Sequence, residues 1–290
     1  MKHLLIVGLL FISVAGFSQK ISNKISFQNG QKLEVVTEVK KTANMHLMGQ
    51  NMETVITSTV TESYDVENAS ADSAVIEYKV KRMVANVSGG MGGSQSFDSE
   101  KDADRKGELG KLLEKALKNK YRMTVDATGK VISVKADDDN PNGKNAENDA
   151  LSQLIASQFG FGFSVPSVGD ASIFKILPPR ELAVNDSWLD SSNANGQKRT
   201  TTYKITSLTD TEVHIDYNEE INTDTQQEMM GTQAKVRSTD TSTGKLVLDR
   251  TTGLLKQRTY TMVSKGTMEG QGMTIPSSGT TTVTVTVNAK

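Results

Sequence analysis

The chain has no cysteine, one tryptophan and three histidines among 290 residues, and aromatic side chains make up only 5%. Without cysteine there is no disulfide framework, thiol nucleophile, thiolate zinc site or lipidated cysteine. An excess of one charge is also missing, with 33 Lys and Arg against 34 Asp and Glu. That balance speaks against nucleic acid or an anionic membrane surface as the main partner, because both need clustered positive charge. Histidine is too sparse for ordinary hydrolase or metalloenzyme chemistry. No H-E-x-x-H or G-x-S-x-G occurs, and outside the amino terminus only His46 and His214 remain. Acid pairs such as Glu219 and Glu220 lack the apolar sequence surroundings that raise a carboxylate pKa. The sequence predicts a protein that is not an enzyme.

A long apolar run occurs only at the amino terminus. Lys2 is followed by the apolar stretch Leu4 to Phe17, and Gly16 and Ser18 place a signal-peptidase cut before Gln19. Residues 1–18 are therefore expected to be an export signal, too short to span a membrane, and the rest a periplasmic or secreted protein. No later window approaches a transmembrane helix.

Period-two alternation dominates the chain beyond residue 18. Leu33, Val35, Thr37 and Val39 share one face; Ile56, Val60, Tyr64 and Val66 share another; Val283, Val285 and Val287 alternate with threonines. Strands of this kind bury one face and wet the other, as antiparallel sheet does. Turn formers separate them at residues 68–72, 126–129, 207–210 and 249–253. About ten to twelve strands are expected, more than a flat sheet carries without curling. Two segments break the pattern. Leu109, Leu112, Leu113, Ala116 and Leu117 recur at helical spacing within residues 105–120, and Leu151, Leu154, Ile155 and Phe159 do so within residues 146–159. The expected fold is mainly β, a curved antiparallel sheet forming a half-barrel or sandwich, with two short helices.

The chain also repeats itself. Tyr64, Ile76 and Tyr78 match Tyr203, Ile215 and Tyr217 at a constant separation of 139, and Asp126-x-x-Gly129 echoes Asp249-x-x-x-Gly253. A single domain over 19–290 then has a first half to about 135, a connector over 136–179 and a second half from about 180. The order of short motifs adds a resemblance: Gly30-Gln-Lys-Leu33, Phe97-Asp-Ser99, Val125-Asp126-x-x-Gly129-x-Val131 and Val184-Asn-Asp-Ser-Trp188. Together they resemble a family of exported bacterial proteins of unknown function, which prefers Gly where this chain has Asn185. In shape that family is similar to periplasmic lipoprotein and lipid carriers, whose curved sheet wraps a cavity lidded by helices. The resemblance implies no catalytic residue.

Three groups of residues are candidates for binding. Asp138, Asn140, Asn142 and Asp149 fit a calcium-loop spacing, with Asp149 in place of the usual Glu; as a turn-rich linker the segment would need no cofactor at all. Met45, Met48 and Met52 flank His46, Met229 and Met230 are adjacent, and Met268 and Met273 are expected in a Gly-rich loop. Thioethers with an imidazole suit Cu(I), whereas adaptable methionines also line apolar cavities or simply fill a core. Leu109, Leu112, Leu113, Phe159, Phe161, Phe163 and Trp188 are candidates to line such a cavity for a lipid or an acyl chain. The competing expectation is an envelope module that binds another protein through strand edges and needs no small ligand.

Overall fold

The computed structural model describes residues 20–47, 49–90, 93–136, 159, 165–194, 196–229, 232–270 and 273–290. The alternating stretches form strands far longer than the usual five or six residues. A two-residue β1 (Lys20–Ile21) precedes β2 (Lys32–Leu47), β3 (Gln50–Ala69), β4 (Ser73–Gly89) and a short β5 (Gln95–Asp98). Helices α1 (Asp102–Lys106) and α2 (Glu108–Leu117) lead into β6 (Lys120–Asp126) and β7 (Val131–Ala136). The second half comprises β8 (Leu182–Ala183), β9 (Ser187–Ala194), β10 (Gln197–Leu208), β11 (Glu212–Met229), β12 (Thr232–Asp249), β13 (Leu255–Gly270) and β14 (Met273–Ala289). Among the described residues β1 pairs only with β8. The remaining strands form one open 12-stranded sheet in the order β7-β6-β4-β3-β2-β14-β13-β12-β11-β10-β9, with β5 added beside β4. The halves therefore join edge to edge through β14 and β2, with Val283 opposite Val39. Among the described residues the long strands thus belong to one sheet that does not close on itself.

The helix foreseen within 105–120 is α2, which carries all five of its apolar residues, and the short α1 precedes it, set off by the extended Gly107 (φ −69°, ψ 174°). Its N–H closes α1 on Ala103 O and its carbonyl starts α2 by accepting from Lys111. Glycine is a poor helix former, and the break falls at Gly107 although a second glycine, Gly110, is accommodated within α2. The helix expected over 146–159 lies outside the described residues apart from Phe159.

Hydrogen bonds at the turn end show how strongly the sheet curves. Ile25 N–H donates to Ala127 O and Ser26 N–H to Thr252 O, both at 2.7 Å. Ala127 belongs to the β6–β7 turn and Thr252 to the β12–β13 turn, six strand steps apart in the sheet. In a flat sheet that separation is about 29 Å at roughly 4.8 Å per step. Two consecutive residues can bond to both turns only if this end is rolled up, and residues 20–28 strap it shut. The strap and the 165–183 segment fill the rolled end. Ile25, Phe27 and Phe174 pack on Tyr64, Ile76 and Val125 of the first half, while Ile21, Leu177 and Leu182 pack on Ile205, Ile215 and Leu246 of the second.

The repeat is real at the level of single hydrogen bonds. Tyr64 faces Tyr78 and Tyr203 faces Tyr217, and each hairpin carries a bulge at the same place, between Val66 and Asn68 and between Ile205 and Ser207. Asp126 Oδ1 accepts from the Thr128 N–H and hydroxyl, as Asp249 Oδ1 does from Thr252. Gly30 (φ 74°) and Asn185 (φ 73°) occupy equivalent left-handed positions. Gly30 N–H donates to Val66 O and Asn185 N–H to Ile205 O. The short polar side chain of Asn tolerates this region. Leu33 and Trp188 are thus counterparts, an equivalence that the sequence alone does not reveal.

Candidate functional site

Residues directly opposite each other on paired strands share a face of the sheet. The buried Leu33, Val35 and Val39 define the inner face. One inner row crosses the second half as Trp188, Tyr203, Tyr217, Gly244 and Tyr260. It continues into the first half as Val283, Val39, Ser58, Ala85 and Phe97. The two parts are covered differently. In the first half, Leu113 and Ala116 of α2 join Phe159, Ile56, Val60 and Met83 in a closed core, and the Ser58 hydroxyl donates to Phe159 O at 2.7 Å. Leu109 and Leu117 pack against that core, and Leu112 is half-buried.

In the second half the row is aromatic. Trp188 stacks on Tyr203 with ring centres 4.9 Å apart, Tyr203 lies 5.9 Å from Tyr217, and Tyr217 lies 6.3 Å from Tyr260. Gly244 between Tyr217 and Tyr260 lets those rings meet. Beneath them, the Arg258 guanidinium carbon lies 4.9 Å from the Tyr217 ring centre and 5.1 Å from that of Tyr260, and its Nε donates to Tyr217 Oη at 3.1 Å. Burial pushes the Tyr217 hydroxyl up to about 12, opposed by the Arg258 charge. One row beyond, the Thr201 hydroxyl donates to Glu219 Oε2 at 3.1 Å, and Arg199 Nε lies 3.5 Å from the same oxygen. The first half carries its inner carboxyl on the neighbouring strand instead, where the Tyr78 hydroxyl donates to Glu62 Oε1 at 2.6 Å. Burial raises the Glu62 pKa, with the Tyr78 bond opposing.

Further from the strap, towards the β2–β3 and β13–β14 tips, the inner side chains become small. A cavity of about 440 Å³ lies there, lined by Ala43, Thr54, Ser264, Gly266 and Gly279, with Met45, Met52 and Lys41 on its walls. Burial lowers the pKa of the half-buried Lys41 amine, and Asp240 opposes this. Among the methionines whose side chains are described, Met45, Met52, Met83, Met123, Met262, Met268 and Met273 all lie on the inner face by register. His46 alternates to the outer face, where Nδ1 lies 2.8 Å from Asn51 Oδ1. The copper set read from the sequence is therefore divided, with Met45 and Met52 on one side of the sheet and His46 on the other.

Of the other residues singled out, Leu109, Leu113 and Phe159 serve the core beneath α2 rather than the cavity, because the helix lies directly on the sheet. Trp188 packs on the second-half core and on Tyr203. Phe161, Phe163 and the calcium-loop candidates Asp138, Asn140, Asn142 and Asp149 lie outside the described residues. Arg258 and Tyr260 of the inner face were not singled out by sequence, and Glu219 was named only as one of a pair of acids without apolar sequence surroundings. Among the described residues no helix is long and apolar enough to cross a membrane.

Among solved structures the chain is similar to the COG4313 outer membrane channel from Pseudomonas putida F1, at 9% identity over 91% of this chain and 98% of that one, with a TM-score of 0.27. It is also similar to OccK5 (OpdH) from Pseudomonas aeruginosa, at 6% identity over 90% and 98%, again with a TM-score of 0.27. Overlap this slight establishes no shared fold. No curated protein matches the chain. Residues 71–255, more than half of the chain and spanning parts of both repeats, match the family described as "Family of unknown function (DUF6263)", and the chain belongs to that family.

Proposed function

We propose that this is an exported, non-enzymatic binding protein that holds the apolar chain of an amphiphile, a lipid or lipoprotein acyl chain, against the inner face of its sheet. The observation that carries this is the sorting of seven methionines to one face, of which Met45 and Met52 line the 440 Å³ cavity. Thioether side chains adapt to irregular apolar partners without a fixed shape. The volume falls within the usual range for small-ligand sites. Native mass spectrometry of protein exported in a bacterial host and purified without detergent tests the proposal, followed by organic extraction. Bound mass that extracts as lipid is the expected result. Protein that is clean as purified and takes up neither long-chain fatty acids nor alcohols refutes it.

A second reading, a module for protein interaction, is favoured by β9. Among the described residues this strand pairs only with β10, and Leu189 on it is 63% exposed. Open edges of this kind template strand addition. Concentration-dependent self-association or partner capture that Leu189→Lys abolishes would be its signature.

A further inference from the structure

Arg258 stands in a row of inner residues that is otherwise without charge. Its cross-strand neighbours in sequence across the sheet are Ile205, Ile215 and Leu246 on one side and Val285, Thr37 and Val60 on the other. Ile205, Ile215, Leu246 and Val60 are buried to 1% exposure or less. Six other arginines, among them Arg82, Arg122 and Arg199, lie within ion-pair distance of a carboxylate. Arg258 has no such neighbour among the described residues. Its Nε reaches Tyr217, and its two terminal nitrogens have no acceptor there. A guanidinium taken partly out of water without an anion is unfavourable, and two aromatic faces compensate only in part.

The repeat shows that the fold does not require this charge. Met123 faces Val134 in the first half as Leu246 faces Arg258 in the second, and both pairs follow a one-residue bulge at the same place. The first-half counterpart of Arg258 is therefore Val134, which packs on the core. An apolar residue satisfies the same backbone position, so the arginine answers a need beyond folding. Its planar fork matches an oxyanion in two-point contact, and the tyrosine rings beside it leave a flat approach.

We propose that Arg258, flanked by Tyr217 and Tyr260, receives the carboxylate head of a long-chain carboxylic acid whose chain runs along the methionine-bearing inner face towards the hairpin tips. This rests on the binding function proposed above and names the ligand's head group. Binding of palmitic acid, hexadecanol and hexadecyl phosphate is to be measured by titration calorimetry on the wild type, Arg258→Gln and Arg258→Val. Arg258→Val reproduces the first-half residue and guards against loss of folding, checked by near-UV circular dichroism. The wild type is expected to prefer the acid to the alcohol by about 10- to 100-fold, the worth of one charged hydrogen-bonded contact. Both variants are expected to erase that preference, the acid losing far more affinity than the alcohol. An acid-to-alcohol ratio unaltered by either variant overturns the head-group assignment and leaves the binding function standing. Preference for the phosphate over the acid overturns the carboxylate assignment. Failure of the wild type to bind any of the three overturns both proposals.

Discussion

Replacing Gly244 with alanine should destabilise the protein even though alanine is normally the better residue within an element. Gly244 lies between Tyr217 and Tyr260 on the inner face. A Cβ added there would stand 2.4 Å from Thr259 O, 2.6 Å from Tyr260 Cβ and 2.7 Å from Tyr217 Cε1. Comfortable carbon contacts are about 3.5–4.0 Å. Only the Tyr217 ring can swing away, because Thr259 O and Tyr260 Cβ are fixed by the β12–β13 ladder. The strands must therefore separate locally. Overpacking of this kind costs about 1–3 kcal/mol. Relief of the glycine's entropic penalty returns roughly 0.5–1 kcal/mol. The net loss, centred on about 1 kcal/mol, corresponds to a fall in Tm of roughly 2–4 °C for a chain of this size class. Gly270→Ala is the control, since its nearest contact would be an ordinary 3.5 Å to Ala234 Cβ. Urea unfolding followed by circular dichroism, together with the near-UV tyrosine signal, measures both variants. If Gly244→Ala is as stable as the wild type, or Gly270→Ala is equally damaged, the account of the aromatic row is wrong.

Other perturbations probe the repeat and the inner carboxyl. At Asn185, held at φ 73°, Gly should be tolerated and Val should cost upwards of about 1–2 kcal/mol, read from the urea midpoint. Asp126→Ala and Asp249→Ala should each lose about 1.5–3 kcal/mol, because each carboxylate accepts several hydrogen bonds from its turn. Burial raises both acids, but the turn hydrogen bonds outweigh it and hold their pKa values below the usual range. Their stabilisation is present above the unfolded carboxylate pKa and is lost as pH falls through the folded value, a loss that both variants should reduce. Glu62 has the opposite sign. Its folded pKa is raised by burial, so its contribution is present below the unfolded pKa and lost as pH rises through the folded one. Glu62→Gln should flatten that decline while keeping an acceptor for Tyr78; a decline as steep as in the wild type counts against the assignment.

Local chemistry made much of this protein legible in its sequence. Alternation needs only a period of two, so the one-sided strands could be read directly; turn formers marked their ends, and the Tyr64–Tyr78 and Tyr203–Tyr217 hairpins gave away the duplication. Asn185 could be placed at a turn because few side chains tolerate its backbone conformation. The tertiary structure decided what depends on contacts distant in sequence. That β14 joins β2, and that Ile25 and Ser26 draw two distant turns together, follows from packing of the rolled end and leaves no local pattern. The inward aim of Arg258 was hidden for a sharper reason. Counting by twos from the buried Leu255 points Gln257 inwards and Arg258 outwards. A one-residue bulge, pairing Leu248 with Leu255 but Val247 with Gln257, exchanges those faces. The alternation that makes a strand readable thus fails where one extra residue turns a charged side chain from solvent into the interior.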